Sequence, residues 1–251
     1  MSTLTAGRVT ATTDDAGITT ISFFHPAHNS LPSSILAELS ATITRLGQAE
    51  STKVIILQSE GERTFCAGAS FDELRAVADA AQGLAFFSGF AHVINACRTS
   101  PKLIIGRVQG KAVGGGVGLA AATDYCLATT QAAIKLSELA VGIGPFVVGP
   151  AVERKIGPSA FGQLAIDATQ FRPAEWAAHH GLYADVLPDI AALDAAVRAL
   201  AQRLAASSPE AMRELKQVLW AGTAHWDTLL VERAAISGRL VLSEFTRAAI
   251  G

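Results

Sequence analysis

The sequence predicts an α/β fold with parallel strand pairing. Short β-rich runs alternate with stretches of helical period, small-residue loops follow two of the buried runs, and the chain turns almost wholly helical beyond Pro173. Arg8 to Thr13 and Ile18 to Phe24 read as a hairpin around the turn Asp14-Asp15-Ala16-Gly17. The polar segment His25 to Ser30 breaks the pattern. Pro32 then opens a helix, where its missing N–H costs nothing, and Ile35, Leu36, Leu39, Ile43 and Leu46 share one face.

Val54 to Leu57 is a buried strand and Gly61 to Ser70 a loop. Helices are expected from about Phe71 and over Leu84 to Ala96. A second buried strand begins at Leu103-Ile104-Ile105 and runs to about Gln109. Gly110 and the triplet Gly114-Gly115-Gly116 follow, then an Ala-rich helix and a third strand, Tyr125 to Ala128. After a short break at Tyr183 to Leu187, helices are expected over Ala191–Leu204, Pro209–Leu219 and Trp226–Arg247. The change at about residue 190 divides a 1–190 core from a 191–251 helical region. It carries no Pro/Gly/Ser-rich hinge, and the chain shows no internal repeat.

Only 17% of the 251 residues are charged, below the roughly 25% usual for soluble proteins. The deficit predicts surface buried between subunits. A net charge of −2 without a basic stripe argues against nucleic acid. The uncharged stretch Leu139 to Val152 is broken by glycines and prolines and falls short of the about 20 residues of a membrane span. The start at Met1 lacks a charged and then apolar leader. Cys66, Cys97 and Cys126 have no metal-ligand spacing. Together these predict a soluble, cytoplasmic, reduced protein with no metal.

Two loops could carry chemistry. Thr64-Phe65-Cys66-Ala67-Gly68-Ala69-Ser70 lies between a strand and a helix. It is either a tight connection or a place where backbone approaches a ligand closely. Gly110 to Gly118 occupies the same kind of junction. Its glycines either pack a helix against a neighbour or present free N–H groups at a helix start to a developing negative charge. Gly106 to Ala112 lacks the spacing and the Ser/Thr of a phosphate loop. Neither G-x-S-x-G nor H-E-x-x-H occurs.

Taken together, the loops resemble the crotonase, or enoyl-CoA hydratase/isomerase, superfamily. The resemblance runs from about Val9 to Val186. It includes Pro26 with Asn29-Ser30-Leu31, Thr64 to Ala69, Gln109 to Gly116, Asp124, Glu138, and Ala174-Glu175-Trp176-Ala177-Ala178 leading to Gly181-Leu182. It implies a crotonase-like (ClpP/crotonase) fold of repeated ββα units, a C-terminal helical trimerisation region, and a homotrimer or dimer of trimers. It implies an acyl-CoA substrate, with no cofactor beyond the CoA that carries the acyl group. The backbone N–H groups of Ala69 and Gly115 would form the oxyanion hole. Asn29, Ser30, Leu31, Ala67 and Gly68 would meet the substrate. Lys216 could meet CoA phosphates, although a solvated helix face is the alternative for it and for Arg213.

The family's hydratases set two glutamates around the substrate. The position of one is Gly118 here, so that carboxylate is missing; the other falls on Glu138. Glu138, between Ser137 and Leu139, is either a turn residue at the surface or a base whose pKa is raised by apolar neighbours. One glutamate is enough to move a double bond from C3 to C2, which favours Δ3,Δ2-enoyl-CoA isomerisation. A hydratase that recruits another acid, with Asp72 and Glu73 as candidates, and a non-catalytic CoA-binding subunit are the alternatives. Asp72 and Glu73 could equally be charges favoured at a helix start. Phe146, Val147 and Val148 predict an apolar wall for the acyl chain. Cys66 reads as a small filler rather than a nucleophile, His179-His180 as a helix end before Gly181, and Phe86, Phe87 and Phe90 as core or subunit contact rather than a ligand box. Lys111 either tunes the substrate or packs its stem.

Overall fold

A computed structural model describes residues 7–251. In chain order its elements are β1 Arg8–Thr13, β2 Ile18–Phe24, β3 Ser30–Leu31, α1 Ser33–Gln48, β4 Val54–Ser59, β5 Thr64–Cys66, β6 Gly68–Ala69, α2 Phe71–Ala76, α3 Ala80–Thr99, β7 Leu103–Val108, β8 Lys111–Val113 and α4 Gly115–Ala122. There follow β9 Tyr125–Thr129, β10 Ile134–Lys135, a 3-10 turn at Leu139–Val141, α5 Gly149–Ile166, α6 Ala174–His179, β11 Asp185–Leu187, α7 Ile190–Ala205, α8 Pro209–Leu219, α9 Trp226–Leu240 and α10 Glu244–Ile250.

The hairpin forms because Asp14 Oδ1 accepts from the N–H groups of Ala16 and Ile18, and Gly17 takes φ 84°. It opens a six-stranded sheet of order β1-β2-β4-β7-β9-β11. Only β1 is antiparallel to its neighbour; each later strand adds in parallel register, as in Ile55 opposite Ile104 and Gly106 opposite Cys126. Strand alternation then sorts the two faces. Ile55 and Leu57 of β4 join the main core with α1, α3 and α4, whereas Val54 and Ile56 join Ile18, Ile105 and Leu127 under α7. A second, three-stranded parallel sheet, β10-β8-β5, and the pair β3-β6 stand beside the first. The strand pairs β4 and β5, β7 and β8, and β9 and β10 each divide between the two larger sheets.

Several boundaries differ from the sequence reading. The helix expected at Leu84 begins at Ala80, because Asp79 accepts from the Gln82 N–H as an N-cap. Gly149–Ile166 forms a helix that the pattern hid: Pro150 sits in its first turn, and Gly157 at φ 76° with Pro158 kinks it. The single helix expected over Trp226–Arg247 is two. Ser243 accepts from the Thr246 N–H and starts α10.

The C-terminal helices are tied to the core by a buried charge network. Lys216 of α8 is 3% exposed, so neither a phosphate contact nor a solvated face describes it. Its Nζ donates to the carbonyls of Cys97 and Lys102 and to Asp124 Oδ2, at 2.8, 3.0 and 2.8 Å. All three ammonium protons therefore have acceptors. Asp124 also accepts from the Ile104 N–H and from Trp220 Nε1, both at 2.7 Å. The contact sequence reading missed is made by residues 92 positions apart, and a charged side chain in a helical pattern gives no sign of it.

Candidate active site

The first loop is held by its neighbours' polar groups. Asn29 stands at φ 55°. Its Oδ1 accepts from the His25 N–H at 2.8 Å, and its Nδ2 donates to the carbonyls of Glu60 and Thr64 at 2.9 and 3.1 Å. Ser30 Oγ donates to the Ala69 carbonyl at 2.8 Å, and the carbonyl of the fully buried Leu31 accepts from the Ser70 N–H. Asn29, Ser30 and Leu31 thus fix where Gly68 and Ala69 sit and do not themselves line the cavity described below. Cys66 is fully buried, and burial pushes its thiol up to about 12, which suits a filler.

The second loop turns from β8 into α4 at Gly114, whose φ of 53° and ψ of −117° exclude ordinary L side chains. A Cβ there would also stand 3.0 Å from Glu138 Oε1, so this glycine makes room for the carboxylate. Gly115 is the first residue of α4, and its N–H has no carbonyl one turn behind it within the helix. A Cβ on Gly115 would meet the Phe90 ring at 2.3 Å. The two loops lie side by side: a Cβ on Gly68 would be 3.6 Å from the Gly115 nitrogen.

Between them lies a cavity of about 90 Å³. Ala67, Gly68, Ala69, Gly115, Glu138 and Phe146 all line it. Its apolar wall comes from Leu74 of α2, Phe86, Phe87 and Phe90 of α3, and Val141, Ile143, Val147 and Val148. Glu138 is partly buried, but its Oε2 is closed off from solvent and has no hydrogen-bond partner among the described residues. Burial raises its pKa to about 7, opposed by its own backbone N–H.

The remaining candidates fall elsewhere. Asp72 pairs with Arg75 at 2.6 Å with its side chain 90% exposed, and Glu73 accepts from the Ser33 N–H and hydroxyl at 2.8 and 2.6 Å. Neither lines the cavity. Lys111 lies outside it, its Nζ 5.1 Å from the Phe171 ring centroid. Phe86, Phe87 and Phe90 belong to the core as expected, and they also face the cavity. Phe86 and Phe90 are buried and all three form part of the cavity wall; the Phe86/Phe90 spacing of four on one helix was the available sign. Position 118 was read as lacking an acid. A Cβ on Gly118 would stand 2.4 Å from Val148 Cγ1, so an aliphatic side chain packs against that position. Ser237 of α9, unremarked in the sequence, also lines the cavity.

Comparison with known proteins agrees with this architecture. A family model described as enoyl-CoA hydratase/isomerase matches residues 13–241. A (7aS)-7a-methyl-1,5-dioxo-2,3,5,6,7,7a-hexahydro-1H-indene-carboxyl-CoA hydrolase of Rhodococcus jostii is 30% identical over 218 residues, covering 84% of this chain and 80% of its own length. The crystal structure of an enoyl-CoA hydratase from Mycobacterium smegmatis superposes with a TM-score of 0.79 at 28% identity, over 84% of this chain and 81% of that one. One from Bacillus halodurans reaches 0.87 over 96% of this chain and 98% of that one, at 20% identity, a likeness of fold. The fold is therefore the α/β fold of the crotonase-like enoyl-CoA hydratases, and the chain belongs to the enoyl-CoA hydratase/isomerase family of enzymes acting on CoA thioesters.

Proposed function

We propose that this enzyme converts 3-enoyl-CoA to 2-enoyl-CoA, with Glu138 as its single base. The observation that carries the reading is one lone carboxylate, with a buried unpartnered oxygen, in an apolar cavity beside the two loop amides. The thioester carbonyl would accept from the N–H groups of Ala69 and Gly115. As negative charge grows on that oxygen the hydrogen bonds strengthen, each worth on the order of 10²–10³ in rate. The C2 proton, made acidic by the polarised carbonyl, passes to Glu138. The electron pair closes the C2–C3 double bond as C3–C4 opens, and Glu138 returns the proton at C4. No atom enters or leaves.

Hydration requires a water and a second acid. Val148 packs where that acid would stand, and Asp72 and Glu73 are engaged outside the cavity. The absence of charge other than Glu138 from the lining also favours an uncharged acyl group. The test follows absorbance of the conjugated thioester. A rise with 3-enoyl-CoA, lost in Glu138→Gln, supports isomerisation. A fall with 2-enoyl-CoA establishes hydration instead, and no change with either at any chain length favours the non-catalytic CoA-binding reading.

A homotrimer or dimer of trimers in the cytoplasm belongs to the same proposal. The low share of charge and the exposed Leu215, Val218 and Leu219 on α8 support subunit contacts. Sedimentation equilibrium that returns a monomer would overturn this part. No helix among the described residues is long and apolar enough to cross a membrane.

A further inference from the structure

Ser237 is a polar side chain of the cavity that isomerisation leaves without a task. It projects from α9, and it is the one lining residue contributed by the C-terminal helices. It is 1% exposed. Several other buried hydroxyls find a carbonyl: Ser88 donates to Leu84, Thr123 to Ala120, and Thr129 to Gln109, at 2.7, 2.7 and 2.8 Å. Ser237 Oγ has no such acceptor among the described residues, not even the carbonyl one helical turn behind it. A hydroxyl held in an apolar wall without a partner costs free energy unless something else supplies the hydrogen bond. Phe86 and Phe87 of α3, which packs along α9, are among the apolar side chains of that wall.

We infer that Ser237 is a specificity-determining residue that hydrogen-bonds an uncharged oxygen, keto or hydroxyl, on the acyl group of the substrate beyond the reacting carbons. The inference rests on the acyl-CoA reading of the site and adds the class of acyl group. A hydroxyl both donates and accepts, so it serves a ketone and an alcohol alike. The oxygen is uncharged because no Lys or Arg lines the cavity and Glu138 already does; a second carboxylate would be buried without a counter-ion.

The experiment uses the intact enzyme and saturated acyl-CoA thioesters of increasing length, each with and without a single keto or hydroxyl group at successive positions beyond the β-carbon. Binding is measured by calorimetry on the wild type, Ser237→Ala, Ser237→Cys and Glu138→Gln. At one position the oxygenated thioester is expected to bind about two- to tenfold more tightly than its plain counterpart, the range of one net hydrogen bond. Ser237→Ala is expected to remove that preference. Ser237→Cys, nearly the same size and a weak donor, is expected to reduce it, and Glu138→Gln to keep it. Plain thioesters binding as well as oxygenated ones at every position would overturn the role of Ser237 and leave the acyl-CoA reading standing. A preference that survives Ser237→Ala would do the same. Failure of every thioester to bind the wild type would overturn both.

Discussion

Glu138 is held in a setting that water would otherwise relax. Its neighbours withdraw solvent from the carboxylate, and Gly114 gives up a side chain so that Oε1 can come close to the second loop. With a pKa of about 7, the residue takes up and releases a proton near neutrality. As the proposed base it would act only when ionised, so kcat/KM should rise with pH through about 7 and level off above it. Glu138→Gln should lower turnover by roughly 10²–10⁴ while thioester binding persists, read by steady-state kinetics beside calorimetry. Gly118 and Val148 make a second residue-scale prediction. Gly118→Glu alone should destabilise the protein, because its Cβ would stand 2.4 Å from Val148 Cγ1. With Val148→Ala the new carboxylate gains room, and hydration of 2-enoyl-CoA should appear as a loss of ultraviolet absorbance. A stable double variant that still only isomerises would show that the missing acid does not decide the reaction.

At the scale of elements, the cavity wall depends on how closely helices approach. α3 and α9 meet at Gly83 and Gly238, where a Cβ on Gly83 would stand 2.6 Å from the Gly238 carbonyl oxygen. Gly83→Ala should push the helices apart, displacing Phe86 on one and Ser237 on the other. Both Tm and kcat/KM should fall, whereas an exposed substitution on the same helix, such as Ala85→Ser, should change neither. The Asp124–Lys216 pair joins α8 to the start of α3's following strand β7 through the Ile104 N–H. Lys216→Met would leave Asp124 buried with one partner fewer. A loss of roughly 3–5 kcal/mol is expected in urea unfolding, with the CoA site chemistry intact in the protein that remains folded.

Over the whole molecule, the raised pKa of Glu138 links proton binding to folding. The folded protein holds this proton up to about 7, the unfolded chain only to about the ordinary carboxylate value of 4.5. Between those values the native state binds more protons, so this group's contribution to stability is complete at low pH and declines as pH rises through about 7. Its full size is on the order of 3 kcal/mol. Glu138→Gln keeps a neutral group of the same shape, so its stability relative to wild type should grow as pH rises from about 5 to 8. A difference that stays flat in denaturant titrations would show that the carboxylate is not desolvated in solution.

Local pattern was sufficient for much of this. Alternating strands and helices, the face Ile35 to Leu46 of α1, the two small-residue loops and Glu138 were legible because period, turn chemistry and motif spacing act over a few residues. Ala67, Gly68, Ala69, Gly115, Glu138 and Phe146 do converge on one cavity. The sequence did not disclose what stands opposite each of them. Val148 on Gly118, Phe90 on Gly115, Lys216 under three acceptors and Ser237 in the cavity wall are all contacts between segments distant in the chain. A glycine or a lysine looks the same in sequence whether water, a ring or a carboxylate faces it. Periodicity reports that a side is buried, and only the packed elements decide against what. By itself the sequence determined the α/β scaffold, the two small-residue loops and the carboxylate that meet at the cavity. The tertiary structure decided which candidate acids were out of reach, what filled the position of the missing one, and which side chains close the cavity.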